Sequence, residues 1–190
     1  MKKRAFFFFL FFLSRGLTAL DGDAAPEKIC RNALSLLFQK ITANPREVEQ
    51  KSMESRPLFV TLKKGGQTRG CAGTFQPQFS TLREELSYFT ARAATEDFRY
   101  PAVTREELEN IVIIITFPGE LRPVSSLREY NPWKHGLFVR KDGKEGVILP
   151  CEGKTSSYSA RKAIAQAGID TLEGADIYVF DCDTVMEKKK

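Results

Sequence analysis

Leu58-Phe59-Val60-Thr61-Leu62-Lys63, then Lys64-Gly65-Gly66, then Gln67-Thr68-Arg69-Gly70-Cys71-Ala72-Gly73-Thr74-Phe75 is the stretch on which the fold turns. The first run alternates apolar and polar residues, as a strand with one buried face does. Gly65-Gly66 then supplies the backbone freedom of a tight turn, so the two runs predict a β-hairpin. The second run holds glycines at 70 and 73. Glycine weakens a strand interior, so two of them predict a bulge or a close approach by another piece of backbone.

Working outward, Thr81 with Glu84 has capping-box spacing and opens a helix whose apolar stripe is Leu82, Leu86, Phe89 and Ala93. Thr104 with Glu107 repeats the signal before a short helix. Ile111 to Phe117 is a continuous, mainly β-branched run that predicts a central strand, ended by Pro118-Gly119. Asp142-Gly143 sits between Leu137 to Arg140 and Gly146 to Leu149, giving a second hairpin. A helix from Ser156 to Ala167 stops at Gly168, and Ile177 to Phe180 makes a last strand. Upstream, Pro26 starts a helix carrying Cys30, Leu34, Leu37, Phe38 and Ile41, halted by Asn44-Pro45. Residues 46–57 are polar and suit a surface linker. No internal repeat shows in the sequence. Helices and hairpins interleave without βαβ alternation, so the expected class is α+β with a mainly antiparallel sheet flanked by helices.

The chain's 190 residues, 42% of them hydrophobic, suffice for one ordinary core. Its formal charge of +5 is unevenly placed. Lys2, Lys3, Arg4 and Arg15 stand in the first 20 residues with no acid, and removing them from 29 basic residues leaves 25 against 24 acidic ones. A near-neutral remainder lacks the footprint that phosphate neutralisation needs, so nucleic acid is not an expected partner. The leader itself has a positive start, an apolar run from Ala5 to Leu13, and small residues at Ala19, Ala24 and Ala25. That layout predicts a signal peptide over 1–20, cleaved between about 19 and 25, and a periplasmic or secreted protein. The apolar run falls well short of the roughly 20 residues a spanning helix needs, so no membrane span is expected in the mature chain. The domain is expected over 26–183, with a charged tail over 184–190. Export would permit disulfides among Cys30, Cys71, Cys151 and Cys182, and a terminal Cys30–Cys182 staple is one candidate pairing.

At this point the segments resemble a known family. Arg69-Gly70-Cys71-Ala72-Gly73-Thr74 is similar to the Leu-Arg-Gly-Cys-Ile-Gly-Thr hallmark of the AMMECR domain family. Asp97-Phe98-Arg99-Tyr100-Pro101 resembles that family's Asp-x-Arg-Phe-x-Pro segment, and Trp133 with His135-Gly136-Leu137 its aromatic and His-Gly element. Gly146 to Pro150 and Gln166-Ala167-Gly168-Ile169 resemble two further pieces, all in family order from Leu58 to Phe180. The resemblance implies a two-lobed α+β domain and names no reaction. Some members occur beside a Memo-like protein and a radical S-adenosylmethionine enzyme; for this chain the expected partner is an unidentified small molecule or protein. It departs from the pattern in Ala72 for isoleucine, in Cys151, in a shortened stretch after Pro150, and in its export leader.

The chemistry-bearing candidates centre on Cys71. A neighbouring cation lowers a thiol pKa, and on a regular strand Arg69 shares the face of Cys71. Gly70 and Gly73 would leave backbone N–H groups open to an anion or carbonyl. The competing reading is an inert buried thiol. His135 is the one histidine, hence the one possible imidazole base, or else a loop residue holding a strand end. Asp97 and Arg99 would hold a ligand or fix their turn, and Trp133 would stack on a ligand or anchor its loop. No cysteine or histidine spacing marks a metal site. Two function classes follow, with the cofactor left open. One is a small enzyme, or subunit of one, acting on a compact substrate through Cys71 with Arg69 and His135 assisting. The other is a protein-interaction domain in which the Arg-Gly-Cys-Ala-Gly motif is structural.

Overall fold

The computed structural model describes residues 26–38 and 54–188. The leader, the helix stop at Asn44-Pro45, most of the expected linker and the last two lysines lie outside the described residues.

Helix α1 (Pro26–Phe38) buries Cys30 and Leu34 completely. Its Arg31 donates to Glu187 and, at 2.9 and 2.8 Å, to the carbonyls of Leu108 and Ile111, tying the first helix to the far end of the chain. Strands β1 (Leu58–Lys64) and β2 (Gln67–Thr74) form the expected hairpin, with Gly65 and Gly66 at φ 57° and 79°. The bulge is real. Leu62 pairs with Gly70 while Lys63 pairs with Thr68, so Arg69 is the extra residue. Helix α2 (Leu82–Thr95) opens with the Thr81–Glu84 capping box and buries the anticipated stripe. It also buries Glu85, which accepts from Ser55 Oγ, Gln78 N and Phe79 N, satisfying a carboxylate that would otherwise be costly to remove from water.

A 3₁₀ turn (Arg105–Asn110) leads into β3 (Ile111–Pro118), and β4 is the short pair Arg122–Pro123. The second hairpin is β5 (Gly136–Lys141) and β6 (Lys144–Ile148), turning through Asp142 and Gly143 at φ 51° and 74°. Helix α3 (Ser156–Ala167) is capped by Thr155 and ends at left-handed Gly168. Strand β7 (Asp176–Phe180) follows, and β8 (Cys182–Met186) pairs with β3. Ile177 to Phe180 is therefore not the last strand, and the tail expected from 184 begins inside β8. The signal there was weak because Cys182–Met186 is an edge strand with mostly exposed side chains.

Two four-stranded antiparallel sheets result, ordered β2-β1-β3-β8 and β6-β5-β7-β4. Each lobe runs hairpin, capped helix, then a strand returning beside the hairpin's first strand. The topology thus repeats although no sequence repeat is visible. The correspondence reaches single residues. A Cβ on Gly70 would collide with the Ala93 carbonyl of α2, and one on Gly146 with the Ala163 carbonyl of α3. Each helix lies against the edge strand of its own lobe through a glycine.

Between the lobes, Phe75 meets Phe59, Phe138 and Phe180 at ring-centroid distances of 5.2, 5.1 and 5.1 Å. Edge and tilted aromatic contacts of this kind add roughly 0.5–1.5 kcal/mol each beyond area burial. Cys71 and Cys182 pack on the rim of this cluster, whereas Cys30 lies in the first lobe's own core. All four cysteines are free thiols, so the proposed Cys30–Cys182 staple is absent.

Candidate functional site

A cleft of about 290 Å³ opens between the lobes, with Cys71, Ala72 and Gly73 of β2 along one wall. Glu145, Val147, Leu149 and Glu152 form the opposite wall. The end of α2 contributes Arg92 and Glu96, the loop after it Asp97, Phe98 and Arg99, and the last turn of α3 Gln166.

Asp97 organises this site. Its Oδ2 accepts the Cys71 N–H at 2.8 Å and its Oδ1 the Arg99 N–H at 3.1 Å. The Arg99 guanidinium grips both oxygens at 2.8 and 2.7 Å. Burial pushes the Asp97 carboxyl up, but the donors from Arg99 and Cys71 together outweigh it and hold the pKa below its ordinary value. Asp97 in turn holds the Arg99 guanidinium above its usual value, despite burial. Both stay ionised at any physiological pH.

Cys71 lines the cleft, and its sulfur lies 3.3 Å from Thr61 Oγ1, its cross-strand partner. Burial, and next the Glu152 carboxylate, push the thiol up to about 12. Cys71 is a neutral thiol at pH 7. Arg69, expected to share the face of Cys71, does not face the thiol, and the cause is the bulge. Arg69, as the extra residue, breaks the alternation and points to Glu107, bonding it at 3.0 and 2.8 Å. The same guanidinium donates to the Pro101 and Ala102 carbonyls at 2.7 and 3.0 Å, so Arg69 pins the loop that carries Asp97 and Arg99.

Gly70 and Gly73 are points of close approach. Gly70 admits the Ala93 carbonyl, and a Cβ at Gly73 would collide with Leu58 and Phe59. His135 lies outside the cleft. Its Nδ1 accepts the Asn131 N–H at 3.3 Å, which puts the proton on Nε2, 3.7 Å from Asp181. Trp133 is 59% exposed and does not border the cleft. Of the predicted residues, the structure brings Cys71, Gly73, Asp97 and Arg99 together, and leaves Arg69, Gly70, Trp133 and His135 elsewhere.

Sequence reasoning missed Glu145, Glu152, Gln166 and Phe98. Glu152 Oε2 accepts the Leu149 N–H and Gln166 Oε1 the Val147 N–H, both at 3.2 Å. Nothing local marks them, because their partners are set by how the second lobe folds. Four carboxylates and two guanidinium groups line the cleft. Arg92 pairs with Glu96, Arg99 with Asp97 and Glu145 with Arg140, while Glu152 has no cation within 4 Å among the described residues. Among those residues no group of three or more His, Cys, Asp or Glu side chains is placed to hold a metal ion. No described helix is long and apolar enough to cross a membrane.

Paired hairpin–helix–strand lobes around an acidic cleft define a two-lobed α+β domain. A sequence model of the AMMECR1 family matches residues 27–185, and the chain belongs to that family. It is 29% identical over 191 residues to a Methanosarcina mazei protein, covering 91% of this chain and 94% of that one. A Thermotoga maritima protein is 37% identical over 126 residues, covering 64% of this chain and 72% of its own. The crystal structure of the uncharacterized Pyrococcus horikoshii protein PH0010 superposes with a TM-score of 0.70 at 22% identity, over 86% of this chain and 90% of that one, and shares the fold.

Proposed function

We propose that the interlobe cleft is a ligand-handling site for a polar molecule that is neutral or cationic, with Cys71 serving as a neutral contact on its wall. The observation that carries this is convergence. Two segments 26 residues apart, Cys71 and Gly73 on one strand and Asp97 and Arg99 on a loop, meet at one cleft through the Cys71 N–H to Asp97 bond. Arg99 is already paired with Asp97 and Arg92 with Glu96, so an anion finds no free guanidinium, whereas Glu152 has no ion-pair partner within 4 Å among the described residues. Reaction by direct thiolate attack is disfavoured by a thiol near 12. A second reading, a protein-interaction domain, draws support from Phe98, 81% exposed on the lip of the cleft.

A thermal-shift screen of neutral and cationic polar compounds tests the first reading. Compounds that raise the melting temperature of the wild type should lose that effect on Cys71→Ser and Glu152→Gln, whose own melting temperatures stay within about 2 °C of wild type. If the set stabilises wild type and both variants alike, or stabilises none of them, the reading fails.

Export belongs to the same proposal, supported by the basic start, apolar run and small residues of 1–25. Expressed with its leader, the protein should be recovered outside the cytoplasm with a new N-terminus between Leu20 and Pro26. Intact Met1 on purely cytoplasmic protein would refute it.

A further inference from the structure

The walls of the cleft are sheet edges. β2 is the outermost strand of its sheet and β6 of the other, and the two occupy equivalent positions in the repeated topology. Alternate residues of an edge strand turn both N–H and C=O away from the neighbouring strand. Here those residues are identified by where their N–H groups go. Cys71 N donates to Asp97 Oδ2, Val147 N to Gln166 Oε1, and Leu149 N, just past β6, to Glu152 Oε2. Their carbonyls share that outward direction, as do those of Gly73 and Glu145 two residues along. Side-chain oxygens from both lobes therefore stand where the carbonyls of an added strand would lie. The correspondence is close: Gly70 precedes Cys71 as Gly146 precedes Val147, and Asp97 and Gln166 each sit just beyond the alanine whose carbonyl meets that glycine.

Resting on the ligand-cleft reading above, we propose that the occupant is an extended polypeptide segment, hydrogen-bonded through its main chain to the edges of β2 and β6 and carrying a basic side chain. Edge pairing of this kind gives affinity through the backbone and specificity through alternate side chains. The charge argues for the basic residue. With Glu96, Asp97 and Glu145 each paired to an arginine, Glu152 is the lining carboxylate with no ion-pair partner within 4 Å among the described residues. Phe98, exposed at the lip beside these acids, offers a ring face on which a lysine or arginine stem would lie. The rival account is that the three side-chain caps merely blunt the edges against aggregation.

The experiment titrates ¹⁵N-labelled protein with acetyl-Lys-Val-Lys-Val-Lys-amide, with the same peptide N-methylated at both valines, and with lysinamide. The proposal expects the first peptide to shift the Cys71, Gly73, Val147 and Leu149 amides, and N-methylation to weaken binding at least about tenfold. Equal binding by the N-methylated peptide, or by lysinamide, overturns main-chain pairing while leaving a cationic-ligand cleft intact. No shift at these amides with the parent peptide at about 5 mM overturns the proposal. In that event, lysinamide shifts at the same amides would show the ligand-cleft reading surviving alone.

Discussion

Arg69 and Cys71 stand two residues apart yet do different work. Cys71 lines the cleft, while Arg69 binds Glu107 and two loop carbonyls with only 14% of its side chain exposed. Removing it leaves a largely buried carboxylate short of its main partner, so Arg69→Ala should cost about 2 kcal/mol in urea unfolding. The pH dependence follows from Glu107. The bond from Arg69, and then that from Lys64, depress its pKa from an ordinary 4.5 to about 2. A depressed carboxylate stabilises the fold above its unfolded pKa and loses that contribution as pH falls through the folded one. Urea midpoints should therefore decline between about pH 4.5 and 2, and Glu107→Gln should flatten that decline. Unaltered acid sensitivity in the variant would show that Glu107 is not the responsible group. The sequence made Cys71 stand out and misassigned Arg69, because facing by alternation assumes a regular strand. Two glycines signalled a bulge, but not which residue it would expel.

At the scale of elements, glycine decides how each helix meets its edge strand. Gly70→Ala and Gly146→Ala each place a Cβ inside 3.0 Å of a helix carbonyl, an obstacle that a side-chain rotation cannot clear. Each should destabilise by about 1–3 kcal/mol in chemical denaturation. Gly119→Ala, whose Cβ would meet its nearest neighbour at 3.3 Å, should shift the midpoint far less. Equal effects at all three positions would contradict the helix-contact account. The hairpins, the capped helices and β3 were legible because turn glycines, capping pairs and a β-branched run are local signals. β8 was not, since a solvated edge strand carries no apolar alternation. The repeat of topology was invisible for a related reason: matching positions such as Cys71 and Val147 share backbone geometry, not side-chain type.

Across the whole molecule, two lobes joined through Phe75 leave a gap between their edge strands, and the residues most distinctive in the sequence converge on one side of it. The other side, with Glu145, Glu152 and Gln166, could not be read in advance because it depends on how the second lobe is set against the first. The account requires that Cys71 be reachable through this gap and yet protonated. Alkylation by iodoacetamide, resolved by peptide mass spectrometry in a Cys151→Ser background with fully buried Cys30 as the reference, measures both properties at once. The predicted result is a Cys71 rate well above that of Cys30 at every pH, rising about tenfold per pH unit from pH 7 to about 10 without a plateau. A plateau below about pH 8 would reveal an activated thiolate, and a rate as low as that of Cys30 throughout would mean that no open cleft reaches the sulfur; either result contradicts the account.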